Sequence, residues 1–204
     1  MPQVTVKPPL RRRAHIVARS LCAAIARRPA RDEDGPTVIR HSSELRSLLM
    51  VLTLTEIPVA FLVSGILPPP ARPFHALLEL AFVLTGFGVL AAIVRHPHTV
   101  SRSRVVLRTG FMGELDLPRG TVRSAGRTLR TIEGRGLRRV PGEPSAVACS
   151  LGSTVGVRLR LDPPVALDLG DGAGTDVDTV YVSADTADAF TRALGGWAGP
   201  RTAR

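Results

Sequence analysis

The sequence predicts an α+β membrane protein, in which a two-helix transmembrane hairpin precedes a small antiparallel β domain that closes with one helix. Three observations carry this expectation. Two long apolar runs are separated only by a Pro-rich linker; the residues after them change to short alternating runs broken by Gly and Pro; and the last run leads into a capped amphipathic segment. The organisation expected is a basic N-terminal cytoplasmic segment (1–44), a helical hairpin (45–94) and a cytoplasmic β-rich domain (99–204).

The N-terminal segment holds nine basic and four acidic residues. Residues 10–28, LRRRAHIVARSLCAAIARR, imitate a secretory signal peptide, but Arg19 cuts the apolar run and leaves Ser20–Ala26 too short for its hydrophobic region, so cleavage is not expected. Two readings stay open. As a helix, Val17, Leu21, Ala24 and Ile25 share one arc and could lie on an anionic inner leaflet; as an Arg/Pro-rich tail the segment would have no fixed structure.

Leu45–Leu67 is a 23-residue run that reaches about 35 Å as a helix, enough for a ~30 Å hydrocarbon core with some tilt, although Glu56 and Pro58 interrupt it. Phe74–Val94 reaches about 31 Å by the same rise. Neither run has the polar outer face of a soluble helical pair. The stiff linker Pro68–Pro73 forces immediate re-entry and makes the helices antiparallel neighbours. Arg72 is the linker's only basic residue, whereas Arg40, Arg46, Arg95, Arg102, Arg104 and Arg108 flank the outer ends. The positive-inside rule then places both termini in the cytoplasm of a multi-pass protein of the cell membrane.

Two acids lie within these runs. Glu56 falls near the middle of the first, where an ionised carboxylate is costly, and shares a small or polar stripe with Thr53, Ala60 and Ser64. Ala76, Glu79, Val83 and Gly86 form a comparable stripe on the second, and stripes of small residues let helices approach closely. The stripes are expected to face each other. The acids themselves are offset by roughly 9 Å along the axis and do not meet within one hairpin. Glu56 is either a contact between helices or protomers, or a proton, ion or catalytic site.

From Thr99 onward the clearest strand candidates are 105–110, 113–118, 146–152, 155–167 and 177–183. In Val155–Leu161 apolar residues alternate with Gly156, Arg158 and Arg160, as a half-buried antiparallel strand requires. A helix is expected over Asp185–Leu194, capped by Asp185, with Ala189, Phe190, Ala193 and Leu194 inward and Gly195-Gly196 ending it. Residues 131–146, rich in Gly, Pro and Arg, read as irregular.

The formal net charge is +10, and Lys7 is the only lysine among 27 basic residues, the bias a GC-rich genome imposes. Seven arginines (119, 123, 127, 130, 135, 138 and 139) face the single acid Glu133 between Arg119 and Arg139. Of these Arg119, Arg123, Arg127, Arg130, Arg138 and Arg139 are candidates for contact with a lipid surface or a partner; the alternative is a solvated loop. No helix-turn-helix, zinc-finger or aromatic stacking pattern accompanies the charge, which argues against nucleic acid. Asp168, Asp171, Asp176 and Asp178 superficially suggest a calcium loop, but their order does not fit an EF-hand and a Gly-rich turn suffices. His96-Pro97-His98 reads as an exit turn and not a metal site, Cys22 and Cys149 have no metal or redox spacing, and no nucleotide-binding glycine motif or hydrolase serine motif occurs. No cofactor and no catalytic residue is expected.

The stretches LRTGFMGELDLPRGTV (107–122) and VDTVYVSADTADAFTRAL (177–194) resemble the bacterial pleckstrin-homology-like (PH-like) domains found beside transmembrane hairpins. With the Glu56-Ile57-Pro58 step and RHPHTV (95–100), the whole chain resembles uncharacterised two-helix membrane proteins of GC-rich Gram-positive bacteria. The resemblance implies a PH-like fold and no particular activity. The expected role is therefore a membrane-anchored, non-enzymatic module presenting that domain to a protein partner, to anionic lipid or to a second copy. The rival is a transporter subunit or intramembrane enzyme using Glu56, and a third reading is a scaffold that oligomerises through its small-residue stripes.

Overall fold

The computed structural model describes residues 3–6, 8–27, 37–169, 174–185 and 187–195. Four helices, α1 (Leu10–Ile25), α2 (Ser43–Ile66), α3 (Arg72–Arg95) and α4 (Ala187–Gly195), accompany two five-stranded sheets. The first sheet runs β1 (Gln3–Val6), β5 (Gly113–Pro118), β4 (Arg104–Arg108), β3 (His98–Val100), β2 (Thr37–Ile39), and every pair in it is antiparallel. The second runs β6 (Val122–Thr131), β9 (Thr154–Leu167), β10 (Thr175–Val182), β8 (Glu143–Ser150), β7 (Gly136–Val140). It is mixed, because β10 pairs parallel with β8 at Thr179–Val182 against Ala146–Cys149.

Helices α2 and α3 are long and apolar enough to cross a membrane. At 1.5 Å per residue each spans about 36 Å. Their side chains are bare: Phe61, Leu62 and Phe74 are 76%, 73% and 79% exposed, the reverse of a helix sunk in a soluble core. Pro58 within α2 removes one helix hydrogen bond, a feature membrane helices tolerate. A short helical turn at Pro69–Ala71 joins α2 to α3, and the fixed φ of Pro73 suits the first turn of α3.

The two helices meet through Thr53, 6% exposed, and Gly86. A Cβ on Gly86 would lie 2.5 Å from Thr53 Oγ1, so only glycine allows this approach. Thr53 turns its hydroxyl onto the Leu49 carbonyl at 2.8 Å and presents no unsatisfied donor. Glu56, Ala60 and Ser64 share the half-buried face of α2 with Thr53, as do Glu79 and Val83 on α3 with Gly86, whereas Ala76 points outward and His75 takes its place.

The N-terminal basic run is helical. Helix α1 packs along the end of α3, where a Cβ on Gly88 would lie 2.7 Å from Val17 Cγ1 and 3.7 Å from Leu21 Cβ. Of the expected apolar arc, Val17 and Leu21 make this contact while Ala24 and Ile25 are exposed.

The β core lies between the sheets. Val100, Val105, Leu107, Leu115 and Leu117 from the first face Val157, Leu159, Val180 and Val182 from the second, and Phe190, Ala193 and Leu194 of α4 close it. The alternation over Val155–Leu161 buries every apolar side chain: Val157, Leu159 and Leu161 in this core, and Val155 in a second cluster with Ile132, Val140 and Tyr181. The Pro163-Pro164 pair supplies no N–H, and the β9/β10 register shifts there, between Val177 and Thr179. Residues 131–146, expected to be irregular, hold β7 and the start of β8, and residues 122–131 form β6; β6 and β7 are the edge strands. The Gly-rich residues 170–173, Asp171 among them, and Gly196 and Trp197 lie outside the described residues.

Candidate functional site

The hairpin joins the β domain without a free linker. Asp185, expected to cap α4, accepts a hydrogen bond from the Ser43 N–H at 3.2 Å and lies 3.6 Å from Arg46 Nη2, so it caps α2. Its own N–H donates to the Arg40 carbonyl at 3.0 Å. On the α3 side, His41 Nε2 donates to the His96 carbonyl at 2.8 Å, and His98 Nε2 donates to the Ser183 carbonyl at 3.0 Å. His98 Nδ1 accepts from the Arg108 N–H at 3.1 Å, which makes His98 a neutral ring with both nitrogens engaged. The rings of His41 and His98 stack edge-on at 4.4 Å. Burial pushes the His41 pKa down to about 4 and that of His98 to about 3. His96-Pro97-His98 is thus a packed junction, and among the described residues no three His, Cys, Asp or Glu side chains converge to hold a metal.

The acids of the two apolar helices stay apart. Glu79 lies 3.7 Å from His75 one turn earlier on α3, and His75 Nε2 is buried without an acceptor among the described residues. Glu56, half-buried on the α3-facing side of α2, has no hydrogen bond or ion pair among the described residues.

The run of arginines is divided by strand geometry. Arg127 pairs with Asp188 of α4, Nε to Oδ1 at 2.8 Å. Arg130 pairs with Glu143 and donates to the Tyr181 hydroxyl at 3.2 Å, and Tyr181 donates in turn to Glu143 at 3.0 Å. These bonds hold the Asp188 and Glu143 carboxyls below their ordinary pKa. Arg138 donates to the carbonyls of Glu133, Ile132 and Gly136 and to Ser150 Oγ, and burial lowers its pKa. Arg139 donates to Thr175. Cys149, behind them in the core, has its thiol pushed up to about 12 by burial, which leaves it inert.

Arg119 and Arg123 are placed differently. With Arg102, Ser124, Thr191 and Leu194 they line a cavity of ≈ 790 Å³ beside α4. Arg119 donates to the Leu194 carbonyl, but its Nε is buried without an acceptor among the described residues, and burial lowers its pKa. This cavity is far from the hairpin. Strand β3 leaves the α3 exit at His98, β4 returns to it at Arg108, and β5 runs outward again to Pro118, where the Arg119 N–H meets the Ser103 carbonyl at 2.8 Å. Six residues of β5 separate the two ends by roughly 17 Å.

A second basic region lies at the near end. Two adjoining clefts, ≈ 410 and ≈ 340 Å³, share His15, Ile16, Arg19 and His96, and add Arg12, Arg95 and Arg108 around them. Sequence reading missed this grouping. Its visible trace is the spacing of Arg12, His15 and Arg19 at i, i+3 and i+7, which aligns them on one face of α1. Arg102, likewise, joins Arg119 and Arg123 only through the β3–β4 turn. No family model, curated protein or solved structure matches the chain.

Proposed function

We propose that the chain is a membrane-anchored, non-enzymatic module of a bacterial cell membrane. Helices α2 and α3 cross the bilayer with both termini in the cytoplasm, and the β domain, of the PH-like class, is presented at the inner surface to a partner carrying negative charge. The observation that carries this reading is the joint itself: Ser43–Asp185 ties the domain to the start of α2, and His41, bonded to His96 at the end of α3, packs on His98 of β3. A domain held so cannot swing out to reach a target, and so works at a fixed height above the membrane. The Arg density at that end, against Arg72 alone in the linker, supports the orientation. The cavity of Arg102, Arg119 and Arg123 opens on the side away from the bilayer, and this favours an acidic segment of a protein partner there over lipid.

One observation favours a second reading, a transporter or intramembrane enzyme subunit. Glu56 lies in the middle of α2 with no partner among the described residues, and intramembrane acids are often functional. Complementation of a strain lacking the chain separates the two. The binding module requires that Glu56→Gln restores the strain and that Arg102→Glu with Arg123→Glu does not; the opposite pattern would replace it with the rival.

A further inference from the structure

We propose that the cleft between α1, the end of α3 and the β4–β5 turn binds the phosphate of an anionic phospholipid, a proposal that rests on the reading of α2 and α3 as membrane-crossing. Four arginines, Arg12, Arg19, Arg95 and Arg108, line it, against one acid among the described residues, Glu114, which is 3.4 Å from Arg108. The net excess among these lining residues is three positive charges. Guanidinium forks match phosphate oxygens in geometry as well as charge.

The walls fix both the height and the chemistry of the occupant. Arg95 is the last residue of α3, so the cleft lies where the second apolar run ends and a headgroup would begin. One wall is held rigid: Arg108 donates to the Pro97 carbonyl at 3.3 Å, and Gly110, with φ of +56°, lets the β4–β5 turn lie against Ile93 of α3. The other is α1, which presents Arg12 and Arg19 exposed and is held on α3 by Val17 over Gly88. Ile16 and Ala23 line the same cleft, and Val94, one residue before Arg95 on α3, is 51% exposed, which provides apolar surface toward the hairpin for acyl chains. A soluble phosphate would use the arginines and leave that surface bare. The volume is in the range of small-ligand sites.

The test uses the full-length protein in a neutral detergent, with binding of fluorescent phosphatidylglycerol competed by unlabelled phosphatidylglycerol, phosphatidylcholine or inorganic phosphate. Phosphatidylglycerol is expected to compete at least tenfold better than phosphatidylcholine, and inorganic phosphate only at far higher concentration. Arg12→Gln with Arg19→Gln should weaken phosphatidylglycerol about thirty-fold, and Arg19→Gln alone about fivefold, from the usual contribution of a basic residue near an anionic surface. The single substitution lies on an exposed helix face and keeps the test valid if the double variant does not fold. Arg158→Gln with Arg160→Gln, equal in charge change but exposed on β9, should leave binding unchanged. Undiminished affinity in both α1 variants, or equal loss in the β9 variant, overturns the site; inorganic phosphate competing as well as the lipid overturns the lipid assignment. Release of the protein from membranes by alkaline carbonate would instead overturn the anchoring on which the proposal rests.

Discussion

The Asp185 carboxylate caps a helix 142 residues earlier in the chain, accepting the Ser43 N–H at 3.2 Å. Ser42, at the N-cap position itself, makes no side-chain cap bond, so α2 takes its cap from the β domain. Cap and domain contact are therefore one interaction. Asp185→Ala should lower the stability of the detergent-solubilised protein by about 1 kcal/mol, the usual cost of a lost N-cap. Asp185→Asn keeps an acceptor and loses only the attraction to Arg46, so its melting temperature should stay closer to the parent. Equal losses in the two variants would show that charge, and not the cap, holds the joint.

The contact of Thr53 with Gly86 makes a sharper case for the hairpin. Gly86→Ala puts a methyl 2.5 Å from Thr53 Oγ1 and 2.8 Å from Thr53 Cγ2, so the Thr53 side chain or the helix pair must shift. Overpacking of this kind costs about 1–3 kcal/mol. Thr53→Ala removes both atoms and should restore most of it in the double variant. Gly65→Ala, which meets open space, is the control and should be neutral or slightly stabilising. Thermal unfolding of the parent, the two single variants, the double variant and the Gly65→Ala control checks the set, and additive losses in the Thr53→Ala/Gly86→Ala protein would refute the contact.

Parts of this architecture were legible in the residues and parts were not, for physical reasons. The long apolar runs of α2 and α3, the alternation of β9 and the Phe190/Leu194 face of α4 are local patterns with a definite period. Strands β1 and β2 are too short to carry one. Strand β6 lacks one as well: as an edge strand it leaves Leu129 87% exposed and places Arg123, Arg127 and Arg130 among its polar positions, so it reads as a charged loop. The candidate sites were hidden for a related reason. Arg127 and Arg130 stand together in the sequence, but their carboxylates, Asp188 and Glu143, are 61 and 13 residues away. A charge run shows the cations, and only the sheet shows which of them are already paired. The near cleft needs α1 laid on α3, a contact signalled only by Gly88 meeting Val17.

The buried His41–His98 pair gives the joint a pH dependence whose sign follows from the lowered pKa values. Both rings are neutral in the fold, with pKa values of about 4 and 3, and return to about 6.5 when unfolded. Between these limits the unfolded chain binds more protons, so stability is full above about pH 7 and falls as the pH is lowered toward 4. Each ring should remove up to about 2 kcal/mol between pH 7 and pH 5. The nearby charges, Arg46 and Arg108, oppose protonation further. Denaturant titrations at pH 7.5, 6 and 5 should show this slope, and His41→Gln should flatten it. A profile identical in the two proteins would remove His41 as a source.

Glu56 decides between a passive and an active hairpin. It shares the half-buried face of α2 with Thr53 and Ala60, and among the described residues nothing pairs with it, whereas Glu79 has His75 at 3.7 Å. A carboxyl left unpaired in hydrocarbon is most cheaply accommodated when protonated or when a partner from another protomer meets it. Glu56→Gln keeps the size and the hydrogen-bonding capacity while removing the titratable proton, so assembly and any cellular phenotype should survive. Glu56→Leu removes the polar contact as well. If that contact runs between protomers, detergent-resistant oligomers should weaken but not vanish, because polar contacts between membrane helices average under about 1 kcal/mol. Cross-linking in membranes, read beside complementation, measures both effects. Loss of function in Glu56→Gln with insertion and assembly intact would point to proton or ion chemistry at this carboxyl and would displace the binding module as the account of the chain.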